Sequence, residues 1–236
     1  MLKACLFDLD GVIVDTAKYH YVAWREIAEK LGFVFTEADN EKLKGVSRMR
    51  SLEILLEIGG ISLDGESKTL LAQKKNLLYL QYVLKMRPDE VLPGAKEFLT
   101  DCRNNNLGIG LGSASKNATT ILNLLQITHL FDAIIDGNKV TKAKPDPEVF
   151  LTGARELGVL PQNCVVFEDA KAGIEAAIAA NMFSVGIGDP VILEKSEFRY
   201  FGLEESFRKN IDRKAGASIQ PKGTCLNANS ELPCHE

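Results

Sequence analysis

Phe7-Asp8-Leu9-Asp10-Gly11-Val12-Ile13-Val14-Asp15-Thr16 is the stretch on which the fold turns. It overlaps an apolar run over residues 4–9 that reads as a short buried strand. Two carboxylates two residues apart at the end of a strand share a face and project into the same space, and Gly11 lets the chain turn sharply beyond them. One aspartate there would read as a strand-end cap. The pair with its glycine reads as a site built on the end of a first strand.

Outward from this stretch, further short apolar runs at residues 107–111, 133–135, 164–167 and 183–186 alternate with helical patterns at about 94–106, 116–126, 147–158 and 170–180. Strictly alternating strands and helices imply βαβ units, hence an α/β fold: a doubly wound, Rossmann-like parallel sheet with helices on both faces. Residues 15–88 break the alternation. Ala23, Trp24, Ile27, Ala28 and Leu31 form a stripe at helical spacing, followed by Leu52, Leu55 and Leu56 and a pattern through Leu70, Leu77 and Val83. The expected organisation is an α/β core domain from residues 1–14 and 89–208, with an all-helical cap domain, 15–88, inserted after the first strand. Such an insert sits over the crevice where open α/β sheets bind ligands. Residues 209–236 are polar and aperiodic and are expected to be a disordered tail without function.

Composition narrows the partners. The chain has 236 residues, 45% hydrophobic and 25% charged, with a net charge of −4, which excludes a disordered or fibrous protein. No basic run offers a footprint for nucleic acid or an anionic membrane, and no apolar stretch reaches the roughly 18 residues of a membrane span. The five cysteines, at 5, 102, 164, 225 and 234, are scattered without a C-x-x-C pair, and the N-terminus lacks the pattern of a signal peptide. A cytoplasmic protein, monomeric by default and acting on small molecules, is the expectation.

Glu168-Asp169 follow the run 164–167 and supply hard oxygen ligands. With Asp8 and the Asp10 carbonyl they form a candidate Mg²⁺ site. Ser113 ends the second strand, where a hydroxyl and helix-start N–H groups can hold a phosphate. Lys139, Lys142 and Lys144 are rival cations, of which Lys144 precedes a proline that holds its backbone extended. In the insert, spacing alone leaves His20 as compatible with a core histidine as with a site. Lys44 and Arg48 are equally compatible with a solvated helix boundary.

The run from Phe7 to Thr16 resembles the D-x-D-G-x-x-x-D-[ST] signature of the haloacid dehalogenase superfamily, and Ser113, Lys144-Pro145 and Glu168-Asp169 match its later motifs in order. The resemblance implies that Asp8 is the nucleophile, that Asp10 is the general acid/base, that Ser113 and Lys144 assist, and that Asp8, Asp10, Glu168 and Asp169 hold Mg²⁺. Over roughly residues 2–190, insert included, the chain is similar to the sugar-phosphate mutases of that superfamily. This implies a substrate pocket lined by Thr16, His20, Trp24, Lys44, Gly45, Val46, Ser47, Arg48, Ser51, Lys75, Asn76, Ala114, Ser115, Lys116 and Asn117. It also implies interconversion of β-glucose 1-phosphate and glucose 6-phosphate, with glucose 1,6-bisphosphate as activator and intermediate. A sugar-phosphate or phosphoglycolate-type phosphatase on the same fold is the alternative, and a binding protein that keeps the fold without the chemistry is a second. After Ile187 the further strand and helix of such relatives are not evident in GDPVILEKSEFRYFGLEESFRK.

Overall fold

In the computed structural model, which describes residues 1–189, 191, 193–200 and 203, the strands are β1 (Ala4–Phe7), β2 (Gly108–Gly112), β3 (Ala133–Ile135), β4 (Cys164–Glu168), β5 (Phe183–Ile187) and β6 (Phe198–Tyr200). They form one sheet in the order β3-β2-β1-β4-β5-β6, every neighbouring pair parallel. β1 therefore lies between β2 and β4, in register with both: Phe7 pairs with Leu111 and with Phe167. That register places the residues after each of these strands at one end of the sheet.

Period-2 alternation sorts β1 between two cores. Cys5 and Phe7 pack with Phe98 and Leu99 of α5 (Ala95–Asn104) and with Ile121 and Leu122 of α6 (Ala118–Leu124). Ala4 and Leu6 pack on the other face with Phe150 of α7 (Glu148–Glu156) and Ala176 and Ala177 of α8 (Lys171–Ala179). The expected doubly wound sheet is thus observed, with strand limits shifted by one or two residues. No helix among the described residues is long and apolar enough to cross a membrane.

Between β1 and α5 the chain forms α1 (Ala17–Lys30), α2 (Glu37–Glu41), α3 (Arg48–Gly59) and α4 (Gly65–Val83). These helices have their own core, built on Trp24, Ile27, Ala28, Leu52, Leu55 and Leu56. Their starts are written in the sequence. Thr36 caps α2 in a reciprocal capping box with Asp39, and the side chains of Ser47 and Asp64 accept from backbone N–H groups of the first turns of α3 and α4.

Two expectations are corrected. The pattern through Leu70 and Leu77 does not face the core: Leu70 is 59% and Leu77 64% exposed, and the buried stripe of α4 is Ala72, Lys75, Tyr79 and Val83. Either leucine register fits helical spacing, and packing against α1 selected the one that carries a lysine and a tyrosine. Leu77→Lys should therefore change stability by no more than about 0.5 kcal/mol. Leu55→Ala, at a fully buried position, should cost about 2–5 kcal/mol, both measured by urea denaturation.

The second correction concerns the sheet edge. A further strand exists, β6, hidden in the sequence because its three half-buried residues, Phe198-Arg199-Tyr200, form no apolar run. Its approach is held by Glu197, whose carboxylate accepts from the Ser184 N–H at 2.7 Å and the Ser184 hydroxyl at 2.5 Å. The Gly188 N–H then donates to the Tyr200 carbonyl at 2.7 Å. The expected tail, 209–236, lies outside the described residues.

Candidate active site

Asp8 is the first residue past β1. Its N–H donates to the Phe167 carbonyl at 2.9 Å, and its Oδ2 accepts from the Asp10 N–H at 3.0 Å, so the turn itself orients the carboxylate. Gly11 has φ +74°, and a Cβ there would stand 2.2 Å from Asp169 Oδ2. Glycine is needed both for the turn and for the approach of the acidic loop from β4. Thr16, at the N-terminus of α1, donates its hydroxyl proton to Asp10 Oδ1.

The carboxylates of Asp8, Glu168 and Asp169 converge, each offering an oxygen within 4.8 Å of the others. Lys144 reaches the same point from the loop before α7. Its Nζ lies 2.6 Å from Asp8 Oδ1, 2.5 Å from Glu168 Oε1 and 4.8 Å from the centre of the Phe150 ring, with the residue only 3% exposed. The Lys144–Pro145 peptide bond is cis.

Burial dominates the electrostatics here. It pushes Asp10 up to about 7, aided by the charge of Asp8 and opposed by Thr16 and Lys144. It also pushes Glu168 up to about 7 against the pull of Lys144, and raises Asp169 with the help of Glu168 and Asp8. Burial alone would lower Lys144, but the two carboxylates outweigh it and raise the ammonium's pKa. The site thus holds a carboxyl poised near neutrality, Asp10, beside a carboxylate pinned by a permanent cation.

The helical insert closes the opposite wall. Lys75 Nζ lies 2.6 Å from His20 Nδ1 and within 4.7–4.8 Å of the Trp24 and Tyr79 rings. Burial lowers both partners, and the charge of Arg48 lowers them further. Arg48 itself is partly buried and has no carboxylate partner among the described residues. Two contacts seat the insert on the sheet domain. Asn117 Nδ2 donates to Asn76 Oδ1 at 3.0 Å, and Gly45, at φ +72°, lies so close to the start of α8 that a Cβ would stand 2.7 Å from the Ala170 Cβ.

The walls enclose a cavity of about 550 Å³. Of the residues expected from the sequence, Asp8, Asp10, His20, Trp24, Lys44, Gly45, Val46, Ser47, Arg48, Ser51, Lys75, Asn76, Ala114, Ser115, Lys116, Asn117 and Asp169 line it. Thr16, Lys144 and Glu168 stand just behind, bonded to Asp10 and Asp8 or to each other. Ser113 also stands behind the wall, its hydroxyl accepting from the Ser115 N–H at 3.1 Å. Lys139 pairs with Glu156 at the surface, and Lys142 with Asp146 at the cavity rim. Lys142, one of the rival cations, also lines the cavity, as do Asn40, Gln73, Tyr79, Thr141 and Ala143, for which the sequence gives no expectation. The signal for Tyr79 was its position four residues after Lys75 on one helix face.

The all-oxygen donor set of Asp8, Glu168 and Asp169 fits a hard cation such as Mg²⁺ and lacks the sulfur or imidazole that softer metals prefer.

Comparison with known proteins places this geometry. The haloacid dehalogenase-like hydrolase family matches residues 2–181. A β-phosphoglucomutase of Bacillus subtilis is 46% identical over 189 residues, 79% of this chain and 84% of the relative. The crystal structure of a β-phosphoglucomutase from Clostridium difficile superposes with a TM-score of 0.85 at 44% identity, covering 91% of this chain and 99% of that one. A phosphorylated-carbohydrates phosphatase of Thermotoga maritima is 33% identical over 185 residues, 77% of this chain and 82% of the relative. With a parallel sheet, a helical insert and an Asp8-x-Asp10-Gly11 loop facing Glu168-Asp169, the chain belongs to the haloacid dehalogenase-like hydrolase family and resembles its β-phosphoglucomutases.

Proposed function

We propose that the protein interconverts β-glucose 1-phosphate and glucose 6-phosphate by phosphoryl transfer through Asp8. The observation that carries this reading is one cavity with two ends suited to a phosphate: on the sheet side Asp8 and Lys144 with a carboxylate cluster that fits Mg²⁺, and on the insert side Arg48, which has no carboxylate partner among the described residues. A substrate phosphorylated at both ends, as a 1,6-bisphosphate is, needs both. A phosphatase acting on one phosphate needs only the first.

Asp8 attacks phosphorus through the carboxylate that Lys144 and the Asp10 N–H hold in place. From phosphorylated Asp8 the phosphoryl group passes to the sugar 6-hydroxyl while Asp10 takes that hydroxyl's proton. The bisphosphate turns over in the cavity, its far phosphate exchanged between Arg48 and the reactive end. Its 1-phosphate then returns to Asp8, Asp10 gives the proton to the departing O1, and glucose 6-phosphate leaves. Asp8, the Asp10 carbonyl, Glu168 and Asp169 are the groups that would hold Mg²⁺, which would supply the positive charge that offsets the repulsion between a carboxylate and a phosphate. Glucose 1,6-bisphosphate is then both intermediate and activator. Contact of Gly45 with Ala170 and of Asn76 with Asn117 excludes the water that would hydrolyse the aspartyl phosphate. Every group converges from a single chain, which supports a monomer. Cys5, Cys102 and Cys164, buried as free thiols, suit a reducing cytoplasm.

The deciding assay supplies Mg²⁺, β-glucose 1-phosphate and a trace of the 1,6-bisphosphate, and follows glucose 6-phosphate and free phosphate together. A mutase yields glucose 6-phosphate with little free phosphate. Free phosphate without isomerisation would overturn the reading in favour of a phosphatase. Arg48→Ala should slow isomerisation about 100-fold by removing a charge-assisted phosphate contact, and hydrolysis of acetyl phosphate much less.

A further inference from the structure

Among the described residues, two buried side-chain polar atoms have no hydrogen-bond partner, Asn40 Oδ1 and the Tyr79 hydroxyl. A buried hydroxyl left unpaired is unfavourable unless it engages a partner at some stage of the protein's work. Tyr79 is only 1% exposed, and its ring is held by His20, with centroids 4.2 Å apart, and by Lys75 Nζ at 4.7 Å. The phenol therefore cannot swing to solvent. Burial holds the phenol's pKa up, the charge of Asp10 adds to this and Thr16 opposes it, so these two groups are the polar neighbours that act on the hydroxyl.

Thr16 supplies the link. It spends its only hydroxyl proton on Asp10 Oδ1, which leaves its oxygen with lone pairs to accept a bond. A threonine hydroxyl is a rotor, and without a second partner nothing fixes the direction of its proton. A donor on the far side fixes it, because an oxygen that accepts from Tyr79 must turn its own proton toward Asp10. Thr16 immediately precedes α1, α1 packs on α4, and α4 carries Tyr79, so both hydroxyls belong to the insert while Asp10 belongs to the sheet domain.

We propose that Tyr79 is a positioning residue: its O–H donates to Thr16 Oγ1, whose O–H donates to Asp10 Oδ1, so that a chain of two hydroxyls anchored in the insert aims the acid/base carboxyl at the substrate oxygen. This inference goes beyond the proposed function but rests on its assignment of Asp10. Tyr79 touches no substrate in this role. Chains of this kind strengthen each member, which is why one hydroxyl at the end is felt at the carboxyl.

Tyr79→Phe removes the hydroxyl and nothing else, and the leaving group decides the outcome. Transfer to or from a sugar oxygen needs Asp10 to move a proton, whereas acetyl phosphate releases acetate and loads Asp8 without one. In Mg²⁺, Tyr79→Phe should lower kcat on β-glucose 1-phosphate about tenfold with KM changed less than about twofold. Loading of Asp8 from acetyl phosphate should stay within about twofold of wild type. Thr16→Val, nearly isosteric, should show the same split, and Tyr79→Phe added to it should cost nothing more, since the two hydroxyls act in series.

Normal sugar-phosphate turnover by Tyr79→Phe, or equal slowing of both reactions, overturns the inference, the second by assigning Tyr79 a merely structural role. A wild-type protein that never loads Asp8 refutes the proposed function itself. A wild type that loads, beside a Tyr79→Phe variant with normal turnover, refutes this inference alone.

Discussion

Asp8→Asn should reduce phosphoryl transfer by at least about 10⁴-fold and abolish the phosphorylated protein formed with acetyl phosphate. Asparagine has the size of aspartate, so the loop after β1 keeps its course and Gly11 still admits Asp169. The nucleophile is gone, however, since an amide oxygen is neutral and cannot form a stable acyl phosphate. One of the two polar contacts of the side chain also changes sign. If the amide oxygen faces Lys144, the NH₂ group confronts the Asp10 N–H; if it is turned round, the NH₂ group confronts the ammonium. The checks are phosphate incorporation by mass spectrometry and isomerisation of β-glucose 1-phosphate. Retention of either above about one part in 10³ would remove Asp8 from the reaction.

Lys144→Met is the second large effect, and here stability falls with activity. Methionine replaces the aliphatic stem but not the charge, leaving Asp8 and Glu168 facing each other at 4% and 0% exposure without the cation that lies 2.6 and 2.5 Å from them. Breaking a buried ion pair from one side costs about 3–5 kcal/mol, far more than the net worth of the intact pair, because the remaining charges are stranded. Urea denaturation of the variant should show a loss of that order. Turnover should fall at least about 100-fold as the nucleophile loses its orientation. Lys139→Met is the matched control. Its ammonium is half exposed and pairs with Glu156 at 3.3 Å, so its loss should change stability by no more than about 1 kcal/mol. Equal effects at the two positions would mean that the buried ion pair is not what organises the site.

The comparison of Lys139, Lys142 and Lys144 also shows how far a sequence can be read. All three lie in one polar stretch, and no periodicity separates them. The motif resemblance selected Lys144, and the fold sets Lys144 between Asp8 and Glu168, Lys139 at the surface and Lys142 at the rim. Asp8, Asp10, Glu168 and Asp169 were legible because each ends or follows a short apolar run, and a parallel sheet in register brings such positions to one edge. The outward leucines of α4 are not legible for the converse reason. A helix with apolar residues on more than one face does not declare which stripe is buried, and Leu70, Leu77 and Val83 satisfy the spacing as well as Ala72, Lys75, Tyr79 and Val83 do. β6 is not legible because Phe198-Arg199-Tyr200 is half-buried and carries an arginine, so it forms no apolar run, whereas the equally short β3 is Ala-Ile-Ile.

By itself the sequence determined the alternation of strands and helices, the insertion of the helical segment after β1, and the order of carboxylates, lysine and serine along the chain. These follow from local patterns: apolar periodicity, turn residues and motif spacing. Only the tertiary structure decided which face of α4 is buried, that His20 and Lys75 meet at 2.6 Å, that Asn76 bonds Asn117 across the cavity, and that Thr16 and Asp10 are the polar neighbours that act on the Tyr79 hydroxyl. Each of those is a contact between segments tens of residues apart. No local preference encodes such contacts, and they arise only when the insert closes its own core and settles on the sheet.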